Sequence, residues 1–184
     1  PHFLFNTLAN VQALVEAGSP RAPAVLQSLI AYLRAAMPQL HQGPATLAQE
    51  LELVRAYLDL MRLRMPDRLA FGIEAEPELL ARPFPAMAVL TLVENAVRHG
   101  IDPLEQGGRI DVAARQGAGG WVVEVADDGA GIDPRQPPGT GLANLRERLA
   151  GFFGPEAVLQ LEERQPRGLV ARIRVPQGSR DGAG

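Results

Sequence analysis

From the start of the chain, Leu4, Leu8, Val11 and Val15 recur at alternating four- and three-residue steps, the spacing of one helical face. Gly18 ends this pattern. Pro20 and Pro23 suit the start of a second helix, whose Val25, Leu26, Leu29, Ile30 and Leu33 form another apolar stripe up to about Met37. Two short amphipathic helices cannot cover both stripes alone, so they require a dimer partner or a neighbouring domain. A hairpin that pairs into a four-helix bundle meets that need. The stretch PQLHQGPAT, 38–46, has linker composition, with His41 a solvated loop residue. Thr46 and Gln49 then form a capping box for a long helix carrying Leu47, Leu51, Val54, Leu58, Met61 and Met65 at near-heptad spacing.

Beyond that helix the period changes. LAFGIEA at 69–75 reads as a strand, residues 84–99 read as a mostly apolar helix stopped by Gly100, and four alternating segments follow: RIDVAAR, WVVEVAD, AVLQLEE and LVARIRV. A glycine-rich loop, 129–141, and a helix from about 142 to 153 separate the second of these from the third. The predicted fold class is α+β: an N-terminal helical hairpin, then a two-layer α/β sandwich with a mainly antiparallel mixed sheet. The expected organisation is a hairpin over 1–40, a second domain over 45–176 and a disordered tail over 177–184.

Composition narrows the class without naming it. The chain has 184 residues, 46% hydrophobic and 21% charged, and a net charge of -3, as in ordinary globular proteins with a real core. Every one of its 18 basic residues is arginine, a compositional bias from which no function follows. A slightly acidic chain without a basic run is a poor partner for nucleic acid. No cysteine means no disulfide and no thiolate metal site. The longest largely apolar run, Ala86 to Val93, falls far below the roughly 18 residues of a membrane-spanning helix, so no direct membrane contact is expected. The first residues lie inside an amphipathic pattern, with neither methionine nor signal sequence, which reads as a piece of a longer protein with any sensor or anchor upstream.

Three places hold candidate chemistry. Glu94 and Asn95 interrupt the apolar run of the 84–99 helix, where burial without partners costs several kcal/mol in round terms; the alternative is a helix emerging at its C-terminal end. Asn95, Arg98 and His99 fall at i, i+3 and i+4, so they share a face and could surround one ligand. In the strand from Trp121, alternation puts Trp121, Val123, Val125 and Asp127 on the inward side. Asp127 is then a carboxylate at the mouth of a core, able to accept from a ligand amine, with Gly129 and Gly131 allowing close backbone approach. Asp-Asp-Gly is also common turn chemistry. Finally, GTGLANLRERL leads glycines directly into an amphipathic helix, exposing N–H groups and the positive end of its dipole to phosphate. That segment matches neither a P-loop nor a dinucleotide fingerprint.

In order, LVENAVRHG, DDGAGI and GTGLANL resemble the N, G1 and G2 boxes of the ATPase superfamily that includes histidine kinases, DNA gyrase and MutL. PHFLFNTL is similar to the phosphoacceptor motif of LytS-type sensor histidine kinases, and ELELVRAYLDLMRLRM resembles the helix that follows it there. The resemblance covers about 1–176. It implies a kinase core of a two-component system that binds ATP with Mg²⁺, passes the γ-phosphoryl group to His2 and then to an aspartate on a response regulator receiver domain. It also implies a homodimer through the hairpin and a cytoplasmic location as part of a membrane-bound sensor. By the same resemblance Asn95 would coordinate Mg²⁺, Arg98 would contact phosphates, His99 would line the nucleotide pocket, and Asp127 would bind the adenine amine. Gly129, Gly131, Ile132, Thr140, Gly141 and Leu142 would border the nucleotide under a short lid. His2 is substantially neutral at pH 7 and can present a nucleophilic nitrogen, with Asn6 one turn on to orient the ring.

Two positions depart from the pattern. Thr91 stands where many superfamily ATPases have a water-activating carboxylate four residues before the asparagine, so hydrolysis by water should be poor. Phe3 follows His2 where many histidine kinases have an acid, which leaves Glu94 as the candidate proton acceptor. The alternatives are a superfamily ATPase or protein-serine kinase, and a non-catalytic nucleotide-binding module.

Overall fold

The computed structural model of the chain describes residues 2–41, 44–131 and 140–179, apart from the side chains of His2 and His41. Helices α1 (His2–Glu16) and α2 (Ala22–His41) form the N-terminal hairpin. Between them Gly18 takes φ +62° and its N–H bonds Val15 O, while Ser19 N–H bonds Leu14 O. This is the glycine-terminated helix end that a left-handed residue permits. α2 continues past Met37 and through Pro38 to His41, further than the sequence suggests. Proline deletes a single backbone bond so close to a helix end, and Gln39 in the same turn bonds outward to Gln49 O at 3.1 Å.

The hairpin lies on α3 (Leu47–Arg64), which starts at the expected capping box: Gln49 N–H donates to Thr46 Oγ1 at 3.2 Å, and Thr46 N–H to Gln49 Oε1 at 2.9 Å. Val11, Val25, Leu29, Tyr32 and Ala36 are buried on this side. Buried Thr7 donates its hydroxyl to Phe3 O at 2.8 Å. Each expected stripe therefore divides. Leu8 (50% exposed), Val15 (61%), Leu26 (42%) and Ile30 (42%) form a second, outward apolar face. The inward face is fixed by aromatic contacts, Phe3 meeting Tyr32 at 5.4 Å and Tyr57 of α3 at 5.2 Å between ring centroids.

The rest is the predicted sandwich. A five-stranded sheet runs in the order β2-β4-β5-β7-β6, from β2 (Leu69–Ala75), β4 (Gly108–Gly117), β5 (Gly120–Asp127), β6 (Val158–Glu163) and β7 (Leu169–Pro176); only β2 with β4 is parallel. β1 (Ala45–Thr46) and β3 (Pro83–Phe84) pair separately. α3, α4 (Ala88–Asn95) and α5 (Thr140–Phe153) cover the sheet face carrying Ile110, Val112, Trp121, Val123, Val125 and Ile173. The other face is polar, with Arg172 paired to Glu124 at 2.6 Å and also to Glu162. Phe84, Trp121 and Phe153 stack at 5.6–6.0 Å where helices and sheet meet.

Candidate active site

α4 begins at Ala88, not Phe84. Pro83 and Pro85 hold the preceding chain extended, and Phe84 pairs in β3 while filling the core. The turn into α4 places Met87 at φ 61°, a left-handed conformation that costs a side-chain-bearing residue about 1 kcal/mol or more. Its N–H donates to Glu50 Oε2 at 2.9 Å, and Leu90 N–H donates to Glu50 Oε1 at 3.0 Å. Glu50, fully buried on α3, is thus the anionic cap of α4. Burial pushes its carboxyl up to about 7, opposed by the N–H groups it accepts and by the charge of Arg148. The sequence signal was a carboxylate at i+3 from Leu47, on the apolar face of α3.

At the other end α4 passes without a break into a π-helical turn, Ala96–Ile101. The wider turn upsets the 3.6-residue phase. Asn95 lines a cavity, whereas Arg98 and His99 are exposed and are not among its walls. The cavity walls are Leu92, Asn95, Ala96, Val125, Asp127, Leu142, Leu161, Leu169 and Ala171. It is an apolar slot with one carboxylate and one amide.

Asp127 lies where strand phase put it, only 3% exposed at the end of β5. Its Oδ1 accepts from Gly129 N–H at 2.9 Å. Burial raises its pKa, the N–H groups of Gly129 and Leu169 oppose the rise, and Asp128 adds to it. Backbone crowds this carboxylate: a Cβ on Gly100 would lie 2.7 Å from Asp127 Oδ1, and one on Gly129 would lie 2.3 Å from Gly100 C. Gly100, expected only as a helix stop, is therefore required by the close approach of the π-turn to β5. Leu161, Leu169 and Ala171 were missed as lining residues, although their strand alternation carried the signal.

Gly131 follows with φ +79°, and Ile132 with the expected lid, 132–139, lies outside the described residues. Thr140 and Gly141 open α5 in its exposed first turn, and Leu142 reaches the cavity. Thr91 donates its hydroxyl to Met87 O at 2.9 Å. No described group of three or more His, Asp or Glu side chains could hold a metal ion; Asn95 brings an amide to the cavity wall.

His2 is the first residue of α1, and the ring of its neighbour Phe3 lies between Tyr32 and Tyr57. Glu94 sits beside that cluster: its charge helps raise the pKa of both tyrosines, after burial, and Tyr32 reaches about 12. Burial raises Glu94 itself. The first turn of α1 and the Asn95-bearing helix thus converge on one aromatic cluster.

Residues 1–69 match the histidine kinase family and residues 82–179 match the histidine kinase-, DNA gyrase B-, and HSP90-like ATPase family. The sensor histidine kinase/phosphatase LytS of Staphylococcus aureus strain Mu50 is 35% identical over 176 residues, which take in 88% of this chain and 30% of LytS. The chain thus spans about a third of the length of the curated relatives it matches. In fold it is similar to the histidine kinase domain of the blue-light activated kinase EL346 of Erythrobacter litoralis, with TM-score 0.58, 19% identity and 96% of each chain covered. It is also similar to the histidine kinase ThkA solved in complex with the response regulator protein TrrA, with TM-score 0.54 and 15% identity, covering 95% of this chain and 59% of that one. No described helix is long and apolar enough to cross a membrane. The chain belongs to the histidine kinase-, DNA gyrase B-, and HSP90-like ATPase family, and its two matched segments, in this order, have the architecture of a sensor histidine kinase catalytic core.

Proposed function

We propose that this core, of the LytS type, binds ATP with Mg²⁺, transfers the γ-phosphoryl group to His2, and passes it on to an aspartate of a response regulator receiver domain. The observation that carries the reading is Asp127, a buried carboxylate aimed into an apolar slot that also holds the amide of Asn95. Such a slot suits a flat base with an exocyclic amine: the walls exclude water, and the carboxylate selects adenine over a base presenting a carbonyl at that edge. Asn95 would hold the Mg²⁺, which when bound neutralises phosphate charge. Gly129, Gly131, Ile132, Thr140, Gly141 and Leu142 would border the nucleotide, and N–H groups in the first turn of α5 favour its phosphates. Arg98 and His99, exposed next to the cavity wall, would meet phosphates at its mouth.

In the transfer, a neutral imidazole nitrogen of His2 attacks the γ-phosphorus, the bond to the ADP oxygen breaks, and the imidazole proton passes to Glu94, whose raised pKa suits a base. Thr91 cannot activate water as a carboxylate would, so phosphoryl transfer is favoured over hydrolysis. The outward apolar face of the hairpin, Phe5, Leu8, Val15, Leu26 and Ile30, suits a homodimer. The regulator partner is supported by the likeness to a kinase solved with one. We place the core in the cytoplasm, as part of a membrane-bound sensor. Incubation with γ-labelled ATP and Mg²⁺ followed by peptide mapping tests the reading: label on His2 is expected, and label on serine or none at all would sink it.

A further inference from the structure

Three helices send side chains to the five residues that open α4. From α2, Gln39 Oε1 accepts from Met87 N–H at 3.2 Å while its Nε2 donates to Gln49 O at 3.1 Å. From α3, Glu50 accepts from Met87 and Leu90. From α5, Arg148 donates to Ala86 O. One N–H, that of Met87, is therefore shared between α2 of the hairpin and α3, and it belongs to a residue held at φ 61°. A left-handed methionine at a helix start persists only where its surroundings over-determine it.

We propose that Gln39 and Glu50 are positioning residues, forming a junction in which Glu50 fixes the start of α4 and Gln39 seats the hairpin against it, so that His2 is set relative to Glu94 and Asn95. The inference rests on the kinase function proposed above. α4 spans Ala88–Asn95, eight residues, or about 12 Å at 1.5 Å per residue. A small tilt of the hairpin relative to α4 at Met87 is carried along the whole length of the helix. That end holds Glu94 beside the aromatic cluster of Phe3, Tyr32 and Tyr57, and Asn95 on the cavity wall. The hairpin thus approaches α4 at both ends: through Gln39 at the start, and near the finish through Tyr32 of α2, whose ring meets Phe3 and feels the charge of Glu94.

The two residues differ in what they govern. Glu50 belongs to α3, outside the α1–α2 hairpin, and caps α4 directly. Gln39 belongs to α2 and reports hairpin position. Loss of Gln39 should therefore unseat the hairpin and impair transfer to His2, while Glu50 still caps α4, keeps Asn95 on the cavity wall and spares nucleotide binding; loss of the Glu50 carboxylate should impair both. Glutamine at 50 keeps the shape but turns an amide donor toward a backbone N–H.

The experiment uses the full 184-residue chain as Gln39→Ala and Glu50→Gln. It reads the ATP dissociation constant by calorimetry with Mg²⁺, the single-turnover rate of His2 labelling at saturating ATP, and the thermal midpoint. For Gln39→Ala, an affinity within about twofold of the parent and a labelling rate reduced about tenfold or more are expected, since sub-ångström misplacement of reacting groups is enough to slow transfer on that scale. Glu50→Gln should lose affinity as well as rate. A Gln39→Ala chain that labels at the parental rate, with only its midpoint lowered, would reduce Gln39 to a structural contact and overturn the junction. A faster rate would overturn it too, by making the contact an inhibitory latch. Alanine at a half-exposed helical position preserves the fold, so this arm holds even if Glu50→Gln does not fold. A parent that binds ATP but never labels His2 would refute the kinase function itself, and the junction with it; a parent that labels while both variants match it refutes the junction alone.

Discussion

Asp127 and Glu50 are both buried carboxylates, yet their burial serves different ends. Asp127 faces the cavity, and in the proposed function its remaining acceptor capacity meets the adenine amine; Asp127→Asn should then weaken ATP binding by about 1.5–3 kcal/mol, the range for a hydrogen bond to a charged group. Calorimetry of ATP against GTP checks the assignment, with GTP expected to bind poorly to the parent and equal affinities counting against adenine selection. Glu50 faces two backbone N–H groups and no cavity. Its folded-state value of about 7 lies above the unfolded value of 4.5, so between these limits the fold binds more protons than the unfolded chain. The corresponding stability is complete below about pH 4.5 and is lost as pH rises through 7, on the order of 3 kcal/mol in all at 1.36 kcal/mol per unit. Arg148 of α5, the charged group facing it, lessens the loss. The thermal midpoint of the parent should fall from pH 5 to pH 8, and Glu50→Gln should flatten that dependence; an identical slope in both chains would assign it to other groups.

At the scale of elements, strand phase was the strongest signal in the sequence. Alternation through β5 placed Trp121, Val123, Val125 and Asp127 inward, and all four are buried. A strand admits only two faces, so one correct residue fixes the rest. Helices were less legible because an apolar stripe does not say which neighbour it meets. In α1 and α2 the expected stripes mixed two faces, one on α3 and one outward, and only the contacts of Phe3 with Tyr32 and Tyr57 separate them. The start of α4 and its π-helical end were illegible for another reason: they depend on Glu50 and on the approach of Gly100 to Gly129, both remote in sequence. The two hairpin faces predict different outcomes. Leu29→Ala, on the buried side, should cost about 2–5 kcal/mol of stability. Leu26→Glu with Ile30→Glu, on the outward side, should leave the thermal midpoint nearly unchanged and shift sedimentation toward the monomer. Unchanged self-association would remove the hairpin from the proposed dimer interface. At the far end of α4, Asn95→Ala should reduce the Mg²⁺-dependent part of ATP affinity and abolish labelling without lowering the midpoint.

Across the whole molecule, nucleotide binding and phosphoryl acceptance are assigned to separate parts of the chain, which makes them separable by experiment. The cavity is walled by α4, β5, β6, β7 and the first turn of α5, and His2 belongs to none of these. His2→Gln should therefore bind ATP with parental affinity, because Asp127, Asn95 and the glycine-bearing segments are untouched. Labelling should nevertheless disappear, since an amide offers no nucleophilic nitrogen in place of imidazole. In the parent the label should be lost in acid and kept in alkali: protonating a phosphoramidate nitrogen makes it a good leaving group, whereas a serine or threonine phosphoester survives acid. Asp127→Asn gives the reciprocal result at limiting ATP, with the acceptor intact, binding weakened and labelling recovered as the nucleotide concentration is raised. A His2→Gln chain that labels as well as the parent, or a parental label that resists acid, would move the phosphoryl group to another residue and exclude His2 as its acceptor.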